Sequence, residues 1–109
     1  MLKFFYSFLL MLGAAYGPVA RAESVLFLSP GKTDEAFWIS YSQFMYAAAT
    51  DLGIDLRILY SRRMPELTLA QARQALQGPD RPDYLMFANE QYVAPQIIRL
   101  AQGLSLIHI

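Results

Sequence analysis

The stretch SVLFLSPGKTDEAFW (residues 24–38) combines a strand, a turn and the start of a helix. Its first six residues are almost wholly apolar and lead into a Pro-Gly pair, which is typical of a buried strand. Thr33 or Asp34 is in position to cap a helix that begins next, since acidic and hydroxyl side chains are favourable there. This stretch therefore predicts a strand followed by a short loop and a helix.

The segment after this loop has the apolar spacing of a helix. Gly53 follows where the pattern ends, and Gly is the usual C-terminal cap of a helix. We therefore predict an amphipathic helix of about five turns. Its core face would be formed by the apolar residues at helical spacing, which are Phe37, Tyr41, Phe44, Met45, Ala48 and Leu52.

The alternation of strand and helix continues along the chain. IDLRILY (54–60) and DYLMFAN (83–89) predict the second and third strands, because both are rich in apolar residues. Between them, Thr68 and Gln71 have the spacing of a capping box, and a Gly-Pro pair ends the helix that they begin. Pro95 then suits the first turn of a third helix.

This order of elements predicts the fold class α/β. Strands that alternate with helices form a parallel sheet with right-handed crossovers and helices on both faces, which makes three α/β/α layers. The expected strand order is 2-1-3, with a crevice outside the carboxyl ends of the strands. The loops at that edge are 30–37, 61–67 and 89–94, so we expect any binding site to be built from them.

The first 22 residues, MLKFFYSFLLMLGAAYGPVARA, have the features of a signal peptide. Lys3 supplies positive charge ahead of an apolar run, and Ala20-Arg21-Ala22 matches the small-x-small pattern that signal peptidase recognises. The apolar run is too short to cross ~30 Å of hydrocarbon as a helix, which argues against a membrane anchor. We therefore predict a cleaved signal peptide at 1–22, a mature chain that begins at Glu23, and a periplasmic location.

Composition excludes several kinds of partner. The 109 residues allow one small domain, and residues 23–103 carry nine acidic and seven basic side chains, a net charge of −2. There is no basic patch, so we expect no nucleic-acid partner. The chain has no Cys and a single His, His108, so a zinc site is not expected. An exported protein without disulfides depends on its core for stability, which is common in a bacterial periplasm.

The last six residues, LSLIHI (104–109), do not fit the preceding pattern. One interpretation is the start of a fourth strand, because they alternate and follow Gly103 closely. Another comes from the genetic code: CTG TCT CTT ATA CAC ATC, the end of a common transposase sequencing adapter, translates to the same six residues. We favour the second interpretation, which makes 104–109 an adapter-derived tail and leaves it out of fold reasoning.

Nucleotide binding and catalysis are not supported by the motifs. The GKT at residues 31–33 ends like a phosphate-binding loop, but the first glycine of that motif would fall at Leu26, inside the strand. Four acidic residues lie in separate loops, and two of them could converge as a glycosidase pair requires. Nothing in their spacing favours this over surface charges, so we expect no enzyme activity, no catalytic residues, no metal and no cofactor. The four are Asp34, Glu35, Glu66 and Glu90.

Residues 24–103 contain VLFLS, a loop that ends in AFW, FMYAAATDLGIDLRILYS, and RPDYLMFANEQYVAPQIIRLAQG. In this order and spacing, these segments resemble the N-terminal lobe of type I periplasmic binding proteins, which are related to ribose- and galactose-binding proteins. The resemblance implies that 23–103 is a partial N-terminal lobe. In that family the ligand lies between two lobes that are joined by a hinge and close on it.

The resemblance also implies a set of ligand-binding residues. An aromatic residue from the loop after the first strand stacks on the sugar ring, and Phe37 and Trp38 match the paired aromatics there. A polar residue just after the third strand bonds the sugar hydroxyl groups, and Asn89 is the nearest match, with Glu90 second. The implied site is therefore Phe37, Trp38, Asn89 and Glu90.

These residues and their neighbours have alternative interpretations. Phe37 repeats with other aromatic residues on the predicted core face, so core packing is its alternative role. Trp38 lies one step round the helical wheel and is the less natural core residue. Arg62 and Arg63 follow the second strand at the same edge and are further polar candidates, although hinge-side or solvated charges are the favoured interpretation.

The function that the resemblance implies is a periplasmic receptor for a sugar-like small molecule. Such a receptor delivers its ligand to the membrane permease of an ABC importer, and we expect it to be a monomer. Some relatives report the ligand to a membrane sensor kinase or act as quorum-signal receptors, which is the first alternative. The second is an α/β structural domain that binds no ligand.

Overall fold

The computed structural model describes residues 21–102 and the strand at 105–108. Nearly all of the predicted signal peptide lies outside these residues. Within the described part of the chain, none of the helices is both long and apolar enough to span a membrane. The strands are β1 (Ser24–Ser29), β2 (Asp55–Tyr60), β3 (Tyr84–Phe87) and β4 (Ser105–His108), and the helices are α1 (Ala36–Leu52), α2 (Pro65–Gln77) and α3 (Ala94–Leu100).

The strands form one parallel sheet in the order β2-β1-β3-β4. This confirms the α/β class and the predicted order 2-1-3. The strand β4 lies within the tail at 104–109 and pairs with β3 from Ser105 opposite Tyr84. The alternating pattern of this segment is sufficient to form a strand. A strand here says nothing about whether the segment derives from an adapter.

The sheet is covered by helices on both faces, as predicted. Leu26 and Leu28 of β1 point to one side and join the core formed with α2 and α3. Phe27, between them, points to the other side, where it packs with Trp38 of α1. The strand β2 is less buried than β1, because its residues alternate between exposed and half-buried, as suits an outer strand.

Helix α1 is rotated relative to the predicted face: Tyr41 and Met45 pack against the core as predicted, but other residues of that face do not. Three residues of the predicted face are exposed: Phe37 by 66%, Phe44 by 75% and Leu52 by 71%. The helix is apolar around most of its circumference, so hydropathy alone does not distinguish between its possible faces. The small side chain of Ser42 allows a close approach, and its hydroxyl is hydrogen-bonded to the hydroxyl of Tyr60 in β2, 2.6 Å away. The buried residues of the helix are Trp38, Ser42 and Ala49.

The helix ends were predicted better than the helix starts. Gly53 caps α1 in the left-handed conformation (φ 69°), and Gly78 follows the end of α2, both as predicted. Neither predicted cap at the start of α1 is present, because Glu35 is the N-cap residue. The capping box is also wrong, because α2 begins three residues before Thr68, at Pro65. Proline is favourable at a first helical position, where the missing N–H costs nothing.

Candidate functional site

Three loops lie at the carboxyl ends of the strands, as predicted: 30–35, 61–64 and 88–93. The first two are joined by backbone hydrogen bonds, since Arg62 N–H donates to Gly31 O over 2.9 Å and Arg63 N–H donates to Pro30 O over 2.8 Å. Both arginines have left-handed backbone, with φ of 52° and 62°. Non-glycine residues adopt this conformation rarely, and here the two backbone bonds hold it in place.

The side chain of Arg63 contacts both neighbouring loops. Its Nε lies 3.1 Å from Glu35 Oε1 and its Nη2 lies 3.0 Å from the same oxygen. Its Nη1 donates to Glu90 Oε1 in the third loop. The three side chains are only partly exposed. Arg63 is therefore a surface charge that two ion pairs hold in place, whereas the Arg62 side chain makes no ion pair with any described residue.

Glu35 is fixed from two directions. Its Oε2 accepts the backbone N–H of Lys32 at 2.6 Å, and Arg63 approaches from the other side. The Lys32 N–H bond first, and the Arg63 guanidinium second, hold the pKa of this carboxyl below its ordinary value. Glu35 is thus an ionised anchor for Arg63 at neutral pH.

The aromatic pair of the predicted site divides into one exposed and one buried ring. Phe37 is 66% exposed, whereas Trp38 is 6% exposed and packs with Phe27 and Ala88. The expected core assignment is therefore reversed: Trp38 belongs to the core and Phe37 does not. The loop is fitted to this ring, because a Cβ at Gly31 would lie only 2.3 Å from Trp38 Cδ1.

Asn89 and Glu90 follow β3 directly. The Asn89 Oδ1 accepts the backbone N–H of Ala94 at 2.9 Å, which fixes the turn into α3. This bond leaves the Asn89 amide NH₂ as the group that can donate to a ligand. Glu90 is exposed and pairs with Arg63 through Oε1, so its Oε2 is the oxygen that can accept from a ligand. The roles of Phe37, Trp38, Asn89 and Glu90 toward a ligand stay predictions.

Sequence reasoning missed the cluster of Glu35, Arg63 and Glu90. The sequence alone favours separate surface charges for Glu35 and Glu90, and it offers Arg63 only as one residue of an arginine pair. The available signal was that each of the three loops at one sheet edge carries an ionisable side chain. Adjacent carboxyl ends of parallel strands bring such loops together.

Two surface concavities lie away from this cluster. One is at the amino ends of the strands and includes Ser24, Asp55 and Arg81, and the other flanks β2 beside Leu59 and Gln71. Neither involves the carboxyl-edge loops, where open α/β sheets bind ligands. Among the described residues, no group of three or more His, Cys, Asp or Glu is arranged to hold a metal ion.

One solved structure that matches the chain is a crystal structure of a periplasmic sugar-binding protein from Pseudomonas fluorescens. It is 64% identical, with a TM-score of 0.74, and the match covers 78% of this chain and 26% of that one. The chain thus spans about a quarter of the length of the protein that it matches. No family model and no curated protein matches the chain.

The fold, the order of the strands and the sequence identity of 64% all favour the same family. The resemblance to the periplasmic binding proteins is confirmed over the part of the chain that matches a sugar-binding protein of that kind. The matched protein is described as a binding protein and not as an enzyme.

Proposed function

We propose that the complete protein is a periplasmic receptor that binds a sugar-like small molecule and delivers it to the permease of an ABC importer. The observation that carries the proposal is the exposed ring of Phe37 at the carboxyl edge of the sheet, in a chain 64% identical to a sugar-binding protein. A pyranose has an apolar C–H face, which an exposed aromatic ring removes from water. In this proposal Phe37 contacts the sugar and Trp38 supports it from the core.

The polar rim of the sugar would be bound by Asn89 and Glu90. The Asn89 amide donates to a hydroxyl oxygen, and the Glu90 carboxylate accepts from a hydroxyl group. Half of the contacts would come from a second lobe, since the matched protein is about four times as long as the matched segment.

An enzymatic role is less well supported. A glycosidase pair needs one carboxylic acid whose pKa is raised, so that it can donate a proton. Glu35 and Glu90 both bind Arg63, which gives each carboxylate a cationic partner, and the matched protein is described as a binding protein. We therefore propose a receptor without catalytic activity, which acts as a monomer.

The test is a thermal-shift screen of the complete mature receptor against common mono- and disaccharides and polyols, followed by calorimetry on the best compound. A ligand at 100 times its Kd stabilises the folded state by about 2.7 kcal/mol, so we expect a clear rise in Tm. A screen in which no sugar or polyol raises the Tm would overturn the proposal. Uptake of the labelled sugar should be lost when the gene is deleted; unchanged uptake would instead favour a sensory role.

A further inference from the structure

We propose that Arg63 is a positioning residue that holds the Glu90 carboxylate in place for the hydroxyl groups of the ligand; this rests on the function proposed above. Arg63 uses one side of its guanidinium for Glu35 and the other for Glu90. It therefore connects the first, second and third loops of the carboxyl edge through one side chain. The geometry makes the position of Glu90 depend on residues of the other two loops.

The contact between Glu35 and Arg63 is fixed from both sides. The Glu35 carboxylate is held by the Lys32 backbone N–H, and the Arg63 backbone is held by its bond to Pro30 O. The guanidinium is planar and presents its donors in a fixed fork, so its orientation toward Glu35 also fixes the direction of Nη1. A lysine at this position has a single ammonium group and cannot reproduce both contacts in the same geometry.

The consequence for binding is preorganisation. A glutamate on an exposed loop tip has several rotamers, and ordering it on ligand binding costs free energy. Arg63 engages Glu90 through Oε1 and so restricts these rotamers before the ligand arrives. The remaining carboxylate oxygen then accepts from hydroxyl groups, which points to a polyol as the ligand class.

The chain provides a matched control in Arg62. It has the same side chain, lies in the same loop and shares the left-handed backbone, with φ of 52° against 62° for Arg63. Replacement by Ala therefore has a similar backbone cost at both positions. The difference between the two variants reports the contacts of the Arg63 guanidinium, because the Arg62 side chain has no ion-pair partner among the described residues.

The experiment is a double-mutant cycle on the complete mature receptor, with affinity measured by calorimetry for the sugar that gives the largest thermal shift. We expect Arg63→Ala to bind about tenfold more weakly and Arg62→Ala to bind within about twofold of the unchanged protein. In a Glu90→Ala background, Arg63→Ala should have no further effect on affinity. Arg63→Lys should recover only part of the loss. Each variant's melt is recorded, so that an affinity change is compared between folded proteins.

Two kinds of result overturn the inference. If Arg63→Ala binds like Arg62→Ala, the cluster does not position the site. If the losses from Arg63→Ala and Glu90→Ala add fully, Arg63 does not act through Glu90. Both results require that the unchanged receptor binds a sugar or polyol. If it binds none, the proposed function is wrong, and the inference about Arg63 is wrong as well.

Discussion

The ring of Phe37 stands edge-on to the ring of Trp38, with their centroids 4.9 Å apart and their planes at 89°. Adjacent residues lie about 100° apart around a helix, so both rings cannot face the sheet. The result is a division of roles between neighbours in the sequence. Trp38 fills the core beneath the loops, and Phe37 stands perpendicular to it and is largely exposed.

Replacing the exposed ring should affect binding more than stability. We expect Phe37→Ala to weaken sugar binding by about 2–4 kcal/mol, the range of a hot-spot aromatic. Because Phe37 is 66% exposed, the loss of folding stability should be small, within about 0.5 kcal/mol. Calorimetry with the sugar and a thermal melt of the same variant measure the two effects separately.

Replacing the buried ring should have the opposite result. We expect Trp38→Ala to lower the free energy of unfolding by about 3–5 kcal/mol, since it empties a large core volume against Phe27 and Ala88. Chemical denaturation measures this change. If Trp38→Ala and Phe37→Ala both lose stability and both bind normally, the pair is core packing and the stacking role is wrong.

The fit of Gly31 against Trp38 gives a second stability prediction. A methyl group at Gly31 would lie 2.3 Å from Cδ1 and 2.5 Å from Cγ of the indole, so the ring or the loop must move. We expect Gly31→Ala to destabilise the protein by about 1–3 kcal/mol, as overpacking does.

The control for this prediction is the same change in a Trp38→Ala background. With the indole removed, the remaining close neighbour of the added methyl group is Glu35 Oε2 at 2.8 Å, the end of a flexible side chain, so Gly31→Ala should cost less. Equal costs in both backgrounds, measured by denaturation, would show that the backbone of the loop and not the ring requires glycine.

The fold could be predicted because its signals are local and repeated. The strand SVLFLS at 24–29 has the predicted bounds, and the switch between strand and helix spacing gives the parallel order 2-1-3. The face of α1 could not be predicted in the same way. A helix with apolar residues on most sides has several faces of similar hydropathy, and contacts such as that of Ser42 with Tyr60 decide between them.

The candidate site could be predicted only to the level of its loops. Phe37, Trp38, Asn89 and Glu90 lie at the expected edge, but which aromatic ring is buried depends on the same rotation of α1. The contacts of Arg63 depend on the left-handed backbone at residues 62 and 63, which nothing in the arginine pair itself indicates. Such conformations arise from the surrounding hydrogen bonds, so they follow from tertiary structure.

The start of the mature protein can be tested directly. We expect N-terminal sequencing of periplasmic material to give Glu23 as the first residue, from the Ala20-Arg21-Ala22 pattern. Cleavage there leaves β1 whole, since the strand begins at Ser24, and keeps the Glu23 carbonyl that accepts from Asp55 N–H at 2.9 Å. A mature form that retains Met1 would contradict this prediction and indicate an anchor.

The last prediction concerns the amino edge, where Asp83 connects the starts of β1 and β3. Its Oδ2 accepts the backbone N–H of Ser24 at 2.8 Å and the Ser24 hydroxyl at 3.2 Å. The Ser24 N–H bond is the main cause that lowers the pKa of Asp83, and this bond remains in a mature chain that begins at Glu23, whereas the smaller contribution of Arg21 does not. A lowered carboxyl pKa stabilises the fold above the pKa of the unfolded chain, near 3.9, and this contribution is lost as pH falls through the folded value.

Asp83→Asn should therefore lower the Tm of the complete mature protein at about pH 7, where the carboxylate is ionised. The difference from the unchanged protein should shrink as the pH is lowered from about 7 through the folded pKa of Asp83, because protonated Asp83 is also uncharged. Melts across this range measure it, with Asp80→Asn as the control, since Asp80 makes no hydrogen bond or ion pair with any described residue through its side chain. A Tm difference that stays constant with pH would show that the charge of Asp83 does not stabilise the sheet edge.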